Sequence, residues 1–217
     1  MKLMLSNKFI NQIIQGDCLQ VLPRLPAESC DFALTDPPYL VNYRSRDGRS
    51  IAGDVTGEWV APAFREIYRV LKPDRFCVSF YGWHLADHFL AAWRAAGFEP
   101  VGHIVMVKNY ASGQRYLRYQ HEQAYLLAKG QPRPRRFPLK DVLRWEYTGN
   151  RLHPTQKPVS ALRPLIGAFT RPGEIVLDPF AGSGSTLATA AQMRRRYIGI
   201  EVDQGYWRAA LRRLRGA

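Results

Sequence analysis

Two apolar runs in this chain end in the same unusual way. FALTDPPYL (32–40) and VLDPFAGSGSTL (176–187) each carry a buried-strand pattern into an Asp-Pro pair and then turn sharply. Proline lacks the backbone N–H and fixes φ, so a strand that reaches Asp-Pro cannot extend its ladder. Two such ends, one followed by a second proline and one by a glycine-rich turn, require a sheet whose strand ends present groups to a ligand.

The rest of the chain fits that sheet. Strands are expected at 12–16, 30–36, 76–82, 102–109, 122–130, 174–180 and 196–203, and helices at 58–71, 83–96, 158–169, 184–194 and 204–214. Seven strands interleaved with helices predict an α/β fold with a mostly parallel sheet and ligands at the strands' carboxyl ends. With 217 residues, 46% of them hydrophobic, the expectation is one domain spanning 1–217.

Two stretches interrupt the alternation. Residues 40–57 are polar and Gly-rich and read as a long loop. Residues 131–152 carry Arg133, Arg135, Arg136, Lys140, Arg144 and Arg151 around Phe137, Trp145 and Tyr147. Basic residues interleaved with aromatics suit a surface that meets phosphates and bases. The whole chain agrees, with 31 Lys+Arg against 18 Asp+Glu, a formal charge of +13 and a pI near 10.0. A polyanionic partner follows.

Three cysteines, Cys18, Cys30 and Cys77, form no C-x-x-C pair, which argues against a zinc knuckle or a disulfide framework. His84 and His88 share a helical face but lack a third ligand, so no metal is expected. The N-terminal run is broken by Ser6, Asn7 and Lys8, and no apolar stretch has the length to span a bilayer. The expectation is a soluble, cytoplasmic protein.

The glycine-rich turn narrows the ligand. Gly182 and Gly184 follow the strand ending at Asp178 and open a helix, whose N-terminus favours negative groups. The run lacks the Lys-Ser/Thr ending of a nucleoside-triphosphate loop. In the next strand, YIGIEVD, Glu201 stands where an acid commonly accepts ribose hydroxyls. The pair indicates an adenosine-containing cofactor, either NAD or S-adenosylmethionine.

The other corner separates the two. Asp36-Pro37-Pro38-Tyr39 is rigid, offers a carboxylate and main-chain carbonyls as acceptors, and places an aromatic ring beside them. That set suits a planar base with an exocyclic amine: acceptors hold the amine hydrogens and the ring stacks on the base.

DPPY at 36–39, FAGSGST at 180–186 and HPTQKP at 153–158 together resemble the β class of DNA amino-methyltransferases, which modify adenine N6 or cytosine N4. The likeness runs from GDCLQVL (16–22) to EVDQGYW (201–207). It implies a Rossmann-like S-adenosylmethionine-dependent methyltransferase fold in circularly permuted order, with the two Asp-Pro strand ends adjacent. Asp36, Pro37, Pro38 and Tyr39 would then be catalytic. Phe180 and the two glycines would line the donor's methionine part, with Asp178 positioning it. Glu201 would bind the ribose and Asp17 would lie near the adenine amine. His153, Thr155, Gln156 and Lys157 would lead the helix closing the donor pocket, Lys157 meeting the methionine carboxylate.

The resemblance also implies double-stranded DNA as partner, base flipping and direct in-line transfer. Arg133, Arg135, Arg136, Lys140 and Arg144 would contact that DNA. A homodimer, and a restriction partner, are further associations of the family. No cysteine follows a proline, so the Pro-Cys nucleophile of cytosine-carbon methylation is absent. Asp at the first position leans towards N6-adenine, Ser being commoner for N4-cytosine. RNA or protein-glutamine methylation would favour Asn there, with the cofactor loop upstream. A non-catalytic DNA-binding module would show damage to DPPY or the glycines. A nicotinamide dehydrogenase would leave DPPY and HPTQKP unexplained.

Overall fold

The computed structural model describes residues 8–42, 52–112, 116–146 and 157–216. Their core is a single sheet in which two buried strands, β2 (Cys30–Thr35) and β7 (Ile175–Asp178), lie side by side near the middle. Every residue of both is buried, as expected of strands covered on both faces. Alternation from Phe32 onward, with an irregularity between Cys30 and Phe32 that turns Cys30 to the face of Ala33, divides β2 between two cores. Cys30 and Ala33 face helices α2 (Val60–Val70) and α3 (Ala86–Ala96), whereas Phe32 and Leu34 face α4 (Val159–Phe169). Helix α2 buries Val60, Ala63, Phe64, Ile67 and Val70, the i, i+3, i+4, i+7 stripe that docks a helix on a sheet.

Around this pair the sheet builds outward. β8 (Arg196–Glu201) lies parallel to β7, and β1 (Gln12–Gln15) parallel to β8. On the other side β3 (Leu71–Phe80) runs parallel to β2, and β5 (Tyr119–Lys129) antiparallel to β3. β4 (Glu99–Ser112) pairs antiparallel with β5. Two helices complete the donor side, α5 (Ser185–Gln192) between β7 and β8 and α6 (Gln204–Arg215) after β8. All seven strands expected from sequence are present.

An eighth was not foreseen. β6 (Val142–Trp145) lies inside the basic stretch at 131–152 and pairs parallel with the edge of β4, from Val105↔Val142 to Lys108↔Trp145. The sheet order is β1-β8-β7-β2-β3-β5-β4-β6. Four residues flanked by prolines and charge carry too little alternation to announce a strand. The open edge of β4 supplies the pairing that propensity does not. Sequence also missed α1 (Cys18–Val21), one turn capped by the Asp17 carboxylate, which accepts from Leu19 N–H at 2.8 Å.

The junction between β2 and β7 is pinned at its amino end. Asp31, 3% exposed, accepts from Ile175 N–H of β7 at 2.9 Å and from Lys72 Nζ of β3 at 2.6 Å. Arg75 bridges Asp31 and Glu174 at 3.3 and 2.8 Å. This network fixes the register Phe32↔Val176 and so sets how far Asp36 and Asp178 project at the opposite end.

Candidate active site

The carboxyl ends of β1, β8, β7 and β2 open into one cavity of about 310 Å³. The two Asp-Pro corners form its floor, with the Glu201 end of β8 beside them.

Asp36 leaves β2 and is followed by two prolines, so the corner offers carbonyls and few N–H donors. The chain then passes through Leu40 and Asn42, both at positive φ (60° and 50°). Asp54 folds back on it: its carbonyl accepts from Asn42 N–H at 3.0 Å and its Oδ1 from Val41 N–H at 3.3 Å. Gly82, after β3, presses against the corner from behind. A Cβ there would lie 2.9 Å from the Tyr39 carbonyl, so only glycine permits the approach.

Within the corner, Tyr39 Oη donates to Asp36 Oδ1 at 2.9 Å and Lys157 Nζ lies 2.6 Å from Asp36 Oδ2. Burial pushes the Asp36 carboxyl up, and the Lys157 ammonium opposes that rise. Burial, with Asp36 alongside, raises the Tyr39 phenol well above its ordinary value. Tyr39 therefore remains a hydrogen-bond donor at neutral pH.

On the donor side, Gly182 and Gly184 adopt φ of 51° and 77°. Gly182 lines the cavity, and its N–H donates to Glu201 Oε2 at 2.7 Å. The other Glu201 oxygen accepts from Asp203 N–H at 2.7 Å, which orients the carboxylate at the rim. Gly184, expected to line the methionine site, does not reach the cavity. It is the N-cap of α5, and a Cβ there would meet Ala210 of α6 at 2.9 Å. Its lack of a side chain lets α5 pack closely on α6. Asp178, 2% exposed, accepts from Phe180 N–H at 3.1 Å, and burial raises its carboxyl to about 7.

The cavity is acidic. Asp17, Asp36, Asp54, Asp178, Glu201 and Asp203 all line it, and among the described lining residues Lys157 is the single cation. Such a wall favours a ligand bearing positive charge, and a sulfonium donor with an adenosine and a carboxylate fits this donor set. The thiols are inert: burial raises Cys18 and Cys30 to about 12 and pushes Cys77 up further, so none supplies a thiolate nucleophile.

The structure thus gathers Asp17, Asp36, Pro37, Pro38, Tyr39, Lys157, Asp178, Phe180, Gly182 and Glu201 around one space. It keeps Arg133, Arg135, Arg136, Lys140 and Arg144 away from that space, exposed on the β5–β6 connection and on β6. His153, Thr155, Gln156, Tyr147 and Arg151 lie outside the described residues, as do 43–51 of the 40–57 loop. Sequence reasoning missed Trp59, whose ring packs 5.0 Å from Phe180 and whose Nε1 donates to the Gly53 carbonyl at 2.8 Å. It thereby holds 52–54 over the cavity. A tryptophan at the start of a helix after a Gly-rich loop was the available signal. Asp54 and Tyr206 carried none.

A family model described as DNA methylase matches residues 30–212. "Putative methylase YubD" of Escherichia coli K12 is 58% identical over 94% of this chain and 90% of its own length. DNA adenine methyltransferase YhdJ of the same organism is 32% identical, over 93% of this chain and 82% of its own. Among solved structures, M1.HpyAVI in complex with SAM superposes with a TM-score of 0.75 at 23% identity, over 94% of this chain and 98% of the other.

Proposed function

We propose that this chain, which belongs to the N6-adenine/N4-cytosine family of DNA methyltransferases, methylates the exocyclic N6 of adenine in duplex DNA. One observation carries the reading. The Asp36–Tyr39 corner and the Gly182–Glu201 turn, 140 and more residues apart in sequence, open into the same acidic cavity. S-adenosylmethionine supplies the electrophilic methyl group.

The residues divide the remaining work. Asp36 and the main-chain carbonyls of the corner accept the amine hydrogens of a base taken out of the stack, and the Tyr39 ring stacks on that base. Holding both hydrogens aims the nitrogen lone pair out of the ring plane. In-line transfer would form the nitrogen–carbon bond as the donor's carbon–sulfur bond breaks, leaving the thioether, and the extra proton on nitrogen would pass to the Asp36 carboxylate and on to water. Glu201 holds the ribose hydroxyls, and the acidic wall favours the sulfonium charge. Positioning accounts for most of the acceleration, and no covalent enzyme–base adduct is required.

Adenine is favoured by the Asp at the first position of the corner and by the name of the 32%-identical relative. The exposed basic residues 133–144 are assigned to the DNA backbone, within a single domain that works where the DNA is, in the cytoplasm. A homodimer is part of this reading, and sedimentation of the protein with and without DNA tests it.

The test is transfer from labelled S-adenosylmethionine to unmethylated duplex DNA followed by nucleoside analysis. N6-methyladenine is expected, with a loss of about 10³-fold in kcat in Asp36→Ala. N4-methylcytosine would overturn the base assignment and keep the mechanism. Product unaffected by Asp36→Ala would overturn the assignment of the corner.

A further inference from the structure

Lys157 stands where the acceptor and donor sides of the cavity meet. Its Nζ lies 2.6 Å from Asp36 Oδ2 and donates to Tyr39 Oη at 3.2 Å, while Tyr39 Oη holds Asp36 Oδ1 at 2.9 Å. Both oxygens of the Asp36 carboxylate, the side-chain acceptor assigned to the target amine, are therefore engaged by the protein's own groups. The ammonium is also confined. The residue is 6% exposed, and Nζ sits 4.8 Å from the Phe80 ring centroid, 5.3 Å from that of Tyr39 and 5.8 Å from that of Trp145. Trp145 in turn lies 5.8 Å from Lys108 Nζ, which pairs with Glu122.

The same lysine is the single cation among the described residues of a cavity lined by six acidic side chains. A donor bearing an amino-acid carboxylate meets there one positive group, already engaged elsewhere. A buried ammonium cannot be left unpaired cheaply, nor can a buried carboxylate. Sharing between the two carboxylates is the arrangement that leaves neither uncompensated.

We propose that Lys157 is a positioning residue shared between Asp36 and the donor's carboxylate. Engaging the latter, it loosens its hold on Asp36 Oδ2 and opens an acceptor position for the target amine. The inference rests on the methyltransferase reading of the site. It makes donor and base binding mutually favourable, since coupling between two ligands is reciprocal.

The experiment uses the duplex sequence identified by nucleoside mapping, with 2-aminopurine at the target base to report extrusion. S-adenosylhomocysteine keeps the carboxylate without a methyl to transfer, and 5′-methylthioadenosine keeps the adenosine and thioether without the carboxylate. In the wild type, S-adenosylhomocysteine is expected to tighten binding of the extruded base about tenfold, and 5′-methylthioadenosine to leave it unchanged. In Lys157→Met and Lys157→Gln, checked for folding by thermal melting, the two compounds should act alike. Lys157→Arg should restore part of the difference. Equal effects of the two compounds on the wild type would overturn the proposal, as would a difference that survives in Lys157→Met. Failure of every variant and the wild type to bind either compound or extrude the base would instead sink the methyltransferase reading.

Discussion

Asp178 shows how far a single buried carboxyl can be moved. Its folded-state value near 7 lies above the ordinary 3.8. Below the lower value both folded and unfolded chains are protonated, and the native state carries no penalty. As pH rises from about 4 to about 7, the unfolded chain ionises first and native stability falls. The interval corresponds to at most on the order of 4 kcal/mol. Asp178→Asn keeps an acceptor for the Phe180 N–H and cannot ionise. Its melting temperature should therefore exceed that of wild type by an amount that grows between pH 4 and 7 and is constant above. The same variant should bind S-adenosylhomocysteine no tighter at any pH, because the gain is in folding. Calorimetric melts across that range and one binding titration check both. The sequence showed that Asp178 ends a strand. It could not show the depth of burial, which comes from α5 and β8 closing over it.

At the scale of elements, the β2–β7 junction decides whether the site exists. Asp31 accepts from both β3 and β7 while almost fully buried. Asp31→Ala leaves Lys72 and the Ile175 N–H without that partner and should cost about 3 kcal/mol in chemical denaturation. Asp31→Asn should cost less, since it keeps one acceptor. Most elements were legible because their periodicity is strong: the α2 stripe and the apolar runs of β2 and β7 read directly. β6 was not, because VLRW becomes a strand only against the edge of β4. The corner at 36–39 was legible from two prolines. The lysine that fills it was also singled out, yet its contact with Asp36 depends on a chain separation of more than a hundred residues. No local pattern encodes such a contact. The packing of Gly184 is hidden for a similar reason: its neighbour is Ala210, on a helix two elements away.

Over the whole molecule, charge is segregated. The chain carries +13 overall, yet the cavity between the two corners is lined by six acidic side chains. The outer surface attracts a polyanion and the inner one a cation, so the two ligands are drawn to different places by opposite fields. Replacing Arg135, Arg136 and Lys140 together by Ala should weaken DNA binding and reduce the slope of log K against log salt by up to about 3. Donor affinity should be unchanged, because those residues stand outside the cavity. Fluorescence anisotropy at several salt concentrations measures the first, and calorimetry the second. Composition announced the outer field. The inner one is invisible in composition, because it arises from six acids spread between positions 17 and 203.

That spread has a temporal consequence. β2 leaves the ribosome about 140 residues before β7, the strand it must lie against, and Glu201 follows later still. The acceptor corner can be synthesised and even packed on α2 while the wall that completes it is unmade. Closing so long a chain segment is slow compared with local pairing. Translation thus passes through a stage at which one buried edge of β2 is uncovered, and the network around Asp31 is what finally seals it. A nascent chain halted before β7 should be readily cleaved by protease and unable to retain donor, and both should change together once β8 has emerged.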